Sequence, residues 1–191
     1  MRTILFLDFD DVLCLNNPVG GYDAIEALGR LEKEPGLSFG DLEFVELWRG
    51  LFDAQAKAFL TALHAEFKPT YVLSTSWRNF MNRAALDAVL RRGGLPFVAD
   101  NLHENFETPI SGQGGGSSGR AREIQDWLNE NPGCDEGWVV LDDELSGATF
   151  LGWHDDRERS FIVLCRENIG LTEVEYALLR DAFLQRAGRK S

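Results

Sequence analysis

A chain of 191 residues with 44% hydrophobic and 26% charged residues has enough apolar material for one fully cored domain, is too short for two ordinary ones, and excludes a disordered polymer. Nineteen basic residues against 31 acidic ones give a net charge of −12 with no basic run, which excludes a broad nucleic-acid-binding surface but not the local capture of one phosphate. Cys14, Cys134 and Cys165 lack the paired spacing of a zinc site and read as buried thiols of a reducing cytosol. The apolar run in MRTILFLDFDD is too short for a signal peptide or a membrane span, so the expected location is cytoplasmic, with no membrane partner.

In chain order, residues 3–8 predict a buried parallel strand that ends in acid. Residues 14–40, punctuated by Pro18, Gly20, Gly21, Pro35, Gly36 and Gly40, read as a small cap insertion around a short helix at 22–34. From Phe44 to Phe67 the apolar positions recur at steps of three and four, which predicts one or two helices over 41–67. Pro69 ends that pattern, and residues 70–73 form a second strand running into Ser74, Thr75 and Ser76. A helix over 77–92 closes at Gly93 and Gly94, and residues 95–99 read as a third strand.

Residues 101–119, with GQGGGSSG at 112–119, read as a flexible glycine-rich loop. A helix at 120–130 follows, stopped by Asn131, Pro132 and Gly133. Residues 138–141 make a fourth strand leading into Asp142 and Asp143, residues 161–164 a fifth, and Thr172 caps a last helix ending near Gln185. Strands alternating with helices predict a single α/β domain over 1–191, a Rossmann-like three-layer sandwich with a mainly parallel sheet of about five strands.

In such a sheet the ligand site lies beyond the carboxyl ends of the strands. This chain places Asp8 and Asp10 after the first strand, Thr75 between two serines after the second, and Asp142 and Asp143 after the fourth. Displacing a phosphoryl group needs an in-line nucleophile, neutralising charge and a proton donor for the leaving oxygen, and crowded carboxylates stay ionised only beside a cation.

The tracts DFDDVL at 8–13, YVLSTSWR at 71–78 and VVLDDE at 139–144 resemble the first, second and fourth motifs of the haloacid dehalogenase (HAD) superfamily of phosphatases, in the right order. The third motif needs a Lys or Arg, offered by Arg120 or Arg122 in GRAREIQDWL, with Arg120 preferred near the helix start. Together with GLT at 170–172, these tracts look like the HAD domains of bacterial RNA-repair proteins. Residues 14–40 and the glycine-rich loop fall outside that likeness. The resemblance implies a phosphohydrolase with a HAD-like fold and minimal cap, in which Asp8 attacks phosphorus and Asp10 moves the proton. It further implies that Mg2+ binds Asp8, the Asp10 backbone carbonyl and Asp142, with Asp143 ligating directly or through water. Thr75 would donate to the phosphoryl oxygens and Arg120 would neutralise them. The implied substrate is a phosphorylated nucleotide or an RNA or DNA end, with a small phosphometabolite as the alternative.

Blander readings are assigned to several other features. Ser74 and Ser76 compete with Thr75, and Trp77, Trp127 and Trp138 read as packing. The glycine-rich loop is followed by Arg120 and Ala121 where a P-loop has Lys and Ser or Thr. His64, His103 and His154 are too scattered for a histidine metal site, and Asp155 and Asp156 belong to a solvated loop. Two rivals remain: a receiver domain, which carries its acidic pair after the first strand and its phosphoaccepting aspartate after the third, and an inactive HAD fold serving as a binding module.

Overall fold

Four apolar residues in succession leave a strand no polar face to show to water. Ile4–Leu7 form such a strand, β1, with all four buried, so it must be covered on both sides. The computed structural model describes residues 3–110, 119–134, 137–152 and 158–188. In it β1 pairs in parallel with β2 (Thr70–Leu73) and with β4 (Trp138–Asp143). Two further strands, β3 (Leu102–Glu107) and β5 (Ile162–Cys165), lie outside these and complete an all-parallel sheet of order β3-β2-β1-β4-β5. Helices cover it in the three-layer Rossmann-like arrangement that the alternating pattern predicts. Phe6 meets Trp127 edge to face, while Phe67 and Phe183 bring two helices together across 5.1 Å.

The helices are α1 (Gly21–Lys33), α2 (Leu42–Leu51), α3 (Ala54–Phe67), α4 (Arg83–Arg92), α5 (Pro96–Asp100), α6 (Arg120–Glu130) and α7 (Glu173–Gly188). The stretch 41–67 divides in two because Asp53 caps α3, its carboxylate accepting the Ala56 amide at 2.8 Å. The helix expected over 77–92 is interrupted in the same way. A 3₁₀ turn at Ser76–Asn79 ends at Phe80, and α4 begins afresh after Asn82, which accepts the Ala85 amide at 3.0 Å.

Two expectations are corrected. Residues 95–99 do not form a strand: Pro96 opens the short helix α5, and Leu95, Val98 and Ala99 are buried at helical spacing. The third strand lies instead at Leu102–Glu107, within the stretch expected to be loop, where Leu102, His103 and Phe106 are only partly buried on a sheet edge. The glycine-rich residues 111–118 lie outside the described residues, as do His154, Asp155 and Asp156. β4 runs two residues further than predicted, because Asp142 and Asp143 themselves pair with Leu164 and Cys165 of β5.

The three cysteines are buried thiols, and burial pushes Cys14 up to about 12, which makes it a poor nucleophile. Among the described residues no helix is long and apolar enough to cross a membrane.

Chain order matters most at the centre of the sheet. The connections proceed from β1 through β2 to β3 on one side, and the chain then returns to place β4 on the other side of β1. The crevice between the carboxyl ends of β1 and β4 is therefore the topological switch point, where ligands bind in open α/β sheets.

The C-terminal segment braces this crevice. Thr172 caps α7 as predicted, accepting the Val174 amide at 3.2 Å, with Glu175 closing back onto Thr172. Just ahead, the Leu171 amide donates to the Val12 carbonyl at 3.0 Å. Gly170 makes that approach with a left-handed φ of 74°, and a Cβ there would sit 2.6 Å from Leu15 Cδ2 and 3.0 Å from the Val12 carbonyl oxygen. Gly170→Ala is therefore expected to destabilise the fold by about 2 kcal/mol in urea denaturation. An unchanged midpoint and slope would contradict this account of the contact.

Candidate active site

β1 ends where its chain must turn while sending side chains three ways. The Asp8 amide still donates to Leu141 across the sheet, at 3.0 Å, which fixes Asp8 in register beside β4. Phe9 is buried against Phe52 and Trp77, with ring centroids 5.5 and 5.2 Å away. Asp10 then points away from the sheet axis, and its Oδ2 accepts the Trp77 indole N–H at 2.9 Å and the Ser76 hydroxyl at 3.2 Å. The turn is made by Asp11 at φ 55°, a conformation that Asp tolerates better than most residues. The Asp11 carboxylate is held in turn by the Asn168 amide at 2.8 Å.

Three carboxylates converge at the switch point. Single oxygens of Asp8, Asp142 and Asp143 lie within 4.8 Å of one another, and all three residues are buried. Asp143 is secured by its own loop, because its Oδ1 accepts the Leu145 and Ser146 amides at 2.7 and 2.9 Å. Asp142 and Asp8 instead face Arg120, which opens α6 and is 8% exposed. The Arg120 Nε lies 2.8 Å from Asp142 Oδ2, and an Nη lies 3.5 Å from Asp8 Oδ2. Glu123, one helical turn on, receives Arg120 at 3.3 Å and Arg78 at 2.7 Å through the same oxygen. Arg78 also donates to the Thr75 carbonyl at 3.1 Å, which ties the end of β2 to α6.

Four carboxylates thus face two guanidiniums, a formal excess of two negative charges in a place that water hardly reaches. Burial pushes Asp8 up to about 6 even though Arg120 pulls the other way. Burial and the neighbouring Asp8 hold Asp142 well above the ordinary carboxylate range. Burial also raises Asp10, against the hydrogen bonds from Trp77 and Ser76. Asp143 goes the other way, because the hydrogen bonds from Ser146 and Leu145 outweigh its burial. Asp8 Oδ1 and Asp142 Oδ2 have no hydrogen-bond partner among the described residues, the close Arg120 Nε lying off the bonding direction. Buried acceptor oxygens in that condition call for a proton or a cation.

Of the residues singled out in the sequence, the structure brings Asp8, Asp142, Asp143 and Arg120 together, while Arg122 pairs with Asp126 on the surface. The Asp10 carboxylate stands beside this cluster, bound to Trp77 and Ser76. Thr75 is buried and its hydroxyl oxygen accepts the Trp77 amide at 3.4 Å. Ser74 is also buried, its hydroxyl without a hydrogen-bond partner among the described residues, and Ser76 is exposed. His64 stacks on Tyr71 and His103 meets Trp127 edge to face, both away from the carboxylates. Sequence reasoning missed Arg78, Glu123 and the Trp77 indole. The sole hint was that Glu123 sits three residues after Arg120, one turn up the same helix face.

An all-parallel α/β sandwich with clustered aspartates and an arginine at its switch point defines the chain as a HAD-type hydrolase fold. The chain belongs to the family described as the HAD domain in Swiss Army Knife RNA repair proteins, whose model matches residues 4–176. Membership supports phosphohydrolase activity in general, and HAD domains generally use Mg2+. No curated protein and no solved structure matches the chain.

Two expectations follow from the electrostatics. Removing Glu123 leaves Arg78 and Arg120 buried with less compensation, so Glu123→Ala should cost about 3 kcal/mol or more in urea denaturation, and a loss within error would contradict the shared-carboxylate geometry. Asp8 and Asp142 bind their protons more tightly folded than unfolded. That stabilisation is complete only below the ordinary value of 3.8 and is lost as pH rises from there through about 6 for Asp8. Metal-free protein should therefore melt at a higher temperature at pH 5 than at pH 7.5, and Asp142→Asn should shrink the difference. A flat or inverted profile would count against it.

Proposed function

We propose that the protein is a magnesium-dependent phosphatase that hydrolyses a phosphate monoester through an aspartyl phosphate on Asp8. The observation that supports this most is the packing of Asp8, Asp142 and Asp143 oxygens within 4.8 Å of one another beneath a buried Arg120. The donor set fits a hard divalent cation: oxygen ligands only, two buried acceptors without a hydrogen bond among the described residues, and a charge excess that one such ion would cancel. Asp8, Asp142 and the Asp10 backbone carbonyl would hold it, with Asp143 direct or through water. When bound, the ion supplies neutralising charge for the phosphoryl oxygens and keeps Asp8 ionised at neutral pH.

The chain's own groups then divide the work. Asp8, the residue immediately after β1, is the nucleophile that takes the phosphoryl group. Asp10 carries the proton to the leaving oxygen and later takes one from the water that cleaves the intermediate, and its raised pKa suits that duty. Arg120 offers a planar fork to the same oxygens and holds Asp8 in line. Thr75 accepts the Trp77 amide, which leaves its hydroxyl proton to donate to a phosphoryl oxygen.

We read residues 14–40 as a small cap beside an otherwise open site, which suits a bulky substrate. The RNA-repair description of the family favours a phosphorylated nucleotide or nucleic-acid end. The buried thiols favour a reducing cytoplasmic setting.

With a panel of phosphate esters and Mg2+, wild-type protein should release phosphate. Asp8→Asn should lose at least about a thousandfold in kcat, and Asp10→Asn about a hundredfold or more. Mg2+ with beryllofluoride should raise the melting temperature of wild type and not of Asp8→Asn. Turnover that survives Asp8→Asn, or melting indifferent to Mg2+, would refute the mechanism.

A further inference from the structure

Next to Asp10 the site opens into a cavity of about 530 Å3, within the range of small-ligand sites. Its walls come from two segments far apart in sequence. The first turn of α1 and the loop before it give Asn16, Tyr22 and Asp23, and the turn after β2 gives Trp77 and Phe80, with Asp10 lining the same space. α1 is seated closely here: a Cβ on Gly21 would lie 2.9 Å from the Trp77 ring, so only glycine lets the helix start rest against the indole. Arg30 forks onto Glu43 of α2 at 2.9 and 3.1 Å and steadies the other end of α1.

The chemistry of these walls is selective. Tyr22 is 87% exposed and Phe80 65% exposed, two large aromatic side chains in water on one cavity whose third aromatic wall is the buried Trp77. Aromatic surfaces held in this way offer stacking faces. The charged groups on the lining, Asp10 and Asp23, are acidic, and no Lys or Arg is among its described residues, so a second phosphate seated inside the cavity would be repelled. Asn16 supplies both a donor and an acceptor. A flat, uncharged group with polar edges satisfies all three conditions, whereas a sugar bisphosphate or a diphosphate fails the first two.

We propose that this cavity is the leaving-group subsite and takes one unpaired nucleobase, between the exposed aromatics Tyr22 and Phe80. The substrate class that follows is a nucleoside monophosphate or a single-stranded terminal nucleotide carrying one phosphomonoester. The assignment to the leaving group rests on the phosphatase reading above, because Asp10 both borders the cavity and delivers the proton to the departing oxygen. The cap insertion thereby acquires a role: through α1 it places one of the two stacking residues.

Adenosine 5′-monophosphate and ribose 5-phosphate carry the same ester on the same sugar and differ in the base. With Mg2+, kcat/KM should favour the nucleotide by about tenfold or more, and Tyr22→Ala and Phe80→Ala should each reduce that ratio about fivefold. Adenosine alone should quench tryptophan fluorescence saturably through Trp77, with weaker binding in Tyr22→Ala, whereas ribose should not. Equal kcat/KM for the two esters, or a ratio that neither substitution moves, overturns the subsite while leaving the phosphatase standing. Should neither ester be hydrolysed while another of the panel is, the subsite is overturned and the phosphatase stands; should no ester be hydrolysed, the phosphatase reading fails and the adenosine titration decides, absent quenching, or quenching indifferent to Tyr22→Ala, overturning the base site as well.

Discussion

Gathering like charges inside a protein is the constraint around which the rest of this molecule is arranged. Each carboxylate taken from water costs several kcal/mol, and mutual repulsion adds to it. The fold meets the cost by unequal means. Asp143 is compensated locally, by two amides of the loop that follows it. Asp8 and Asp142 rely on Arg120, brought from α6, and Arg120 needs Glu123 to fix its guanidinium, which in turn is shared with Arg78 from the end of β2. The compensation is incomplete, which shows in the raised Asp8 and Asp142 and in the oxygens of each that accept no hydrogen bond among the described residues. Negative charge left uncompensated at one point, while satisfied elsewhere, is what the proposed Mg2+ would neutralise there.

The sheet makes that point possible. Strand order places β4 against β1, so two strands far apart in sequence end side by side, and their carboxylates meet without any loop having to carry them. What loops do is hold the turn open. Asp11 takes a left-handed conformation steadied by Asn168, and Gly170 lets Leu171 close on Val12, so the segment leading into α7 braces the turn after β1. Precision at the site is thus borrowed from strands and locked by distant backbone contacts.

How much of this was legible in the sequence follows from the same physics. The inner strands announced themselves because a strand buried on both faces is a continuous apolar run, as in Ile4–Leu7 and in Trp138–Leu141. β3 did not, since an edge strand reading LHENFE shows water half of its side chains and has no such run, whereas Leu95–Ala99 before it has one and is a helix on account of Pro96. The acids were visible because their spacing after strands is local information. Arg78 and Glu123 were invisible, as a charged residue on a helix or turn reads as solvent-facing unless its partner is known, and the partners lie on different elements. The two chemically distinct uses of Trp77, packing on Phe52 and holding Asp10, could be told apart only with the turn after β1 in view.

Asp8 and Asp10 show how position alone separates identical side chains. Two residues apart, they leave the strand end in different directions, one to the buried carboxylate cluster under Arg120, the other to an indole N–H at the border of an open cavity. The first environment suits a group that must stay ionised beside a cation and attack; the second suits a group that exchanges protons with something arriving from solvent. In the proposed reaction that asymmetry sets a direction, with phosphate on the closed side of Asp10 and the departing group on the open side. In the proposed subsite the acidity of the open side acts as a filter, since a further phosphate seated inside the cavity would meet Asp10 and Asp23 with no arginine or lysine among the described lining residues to receive it.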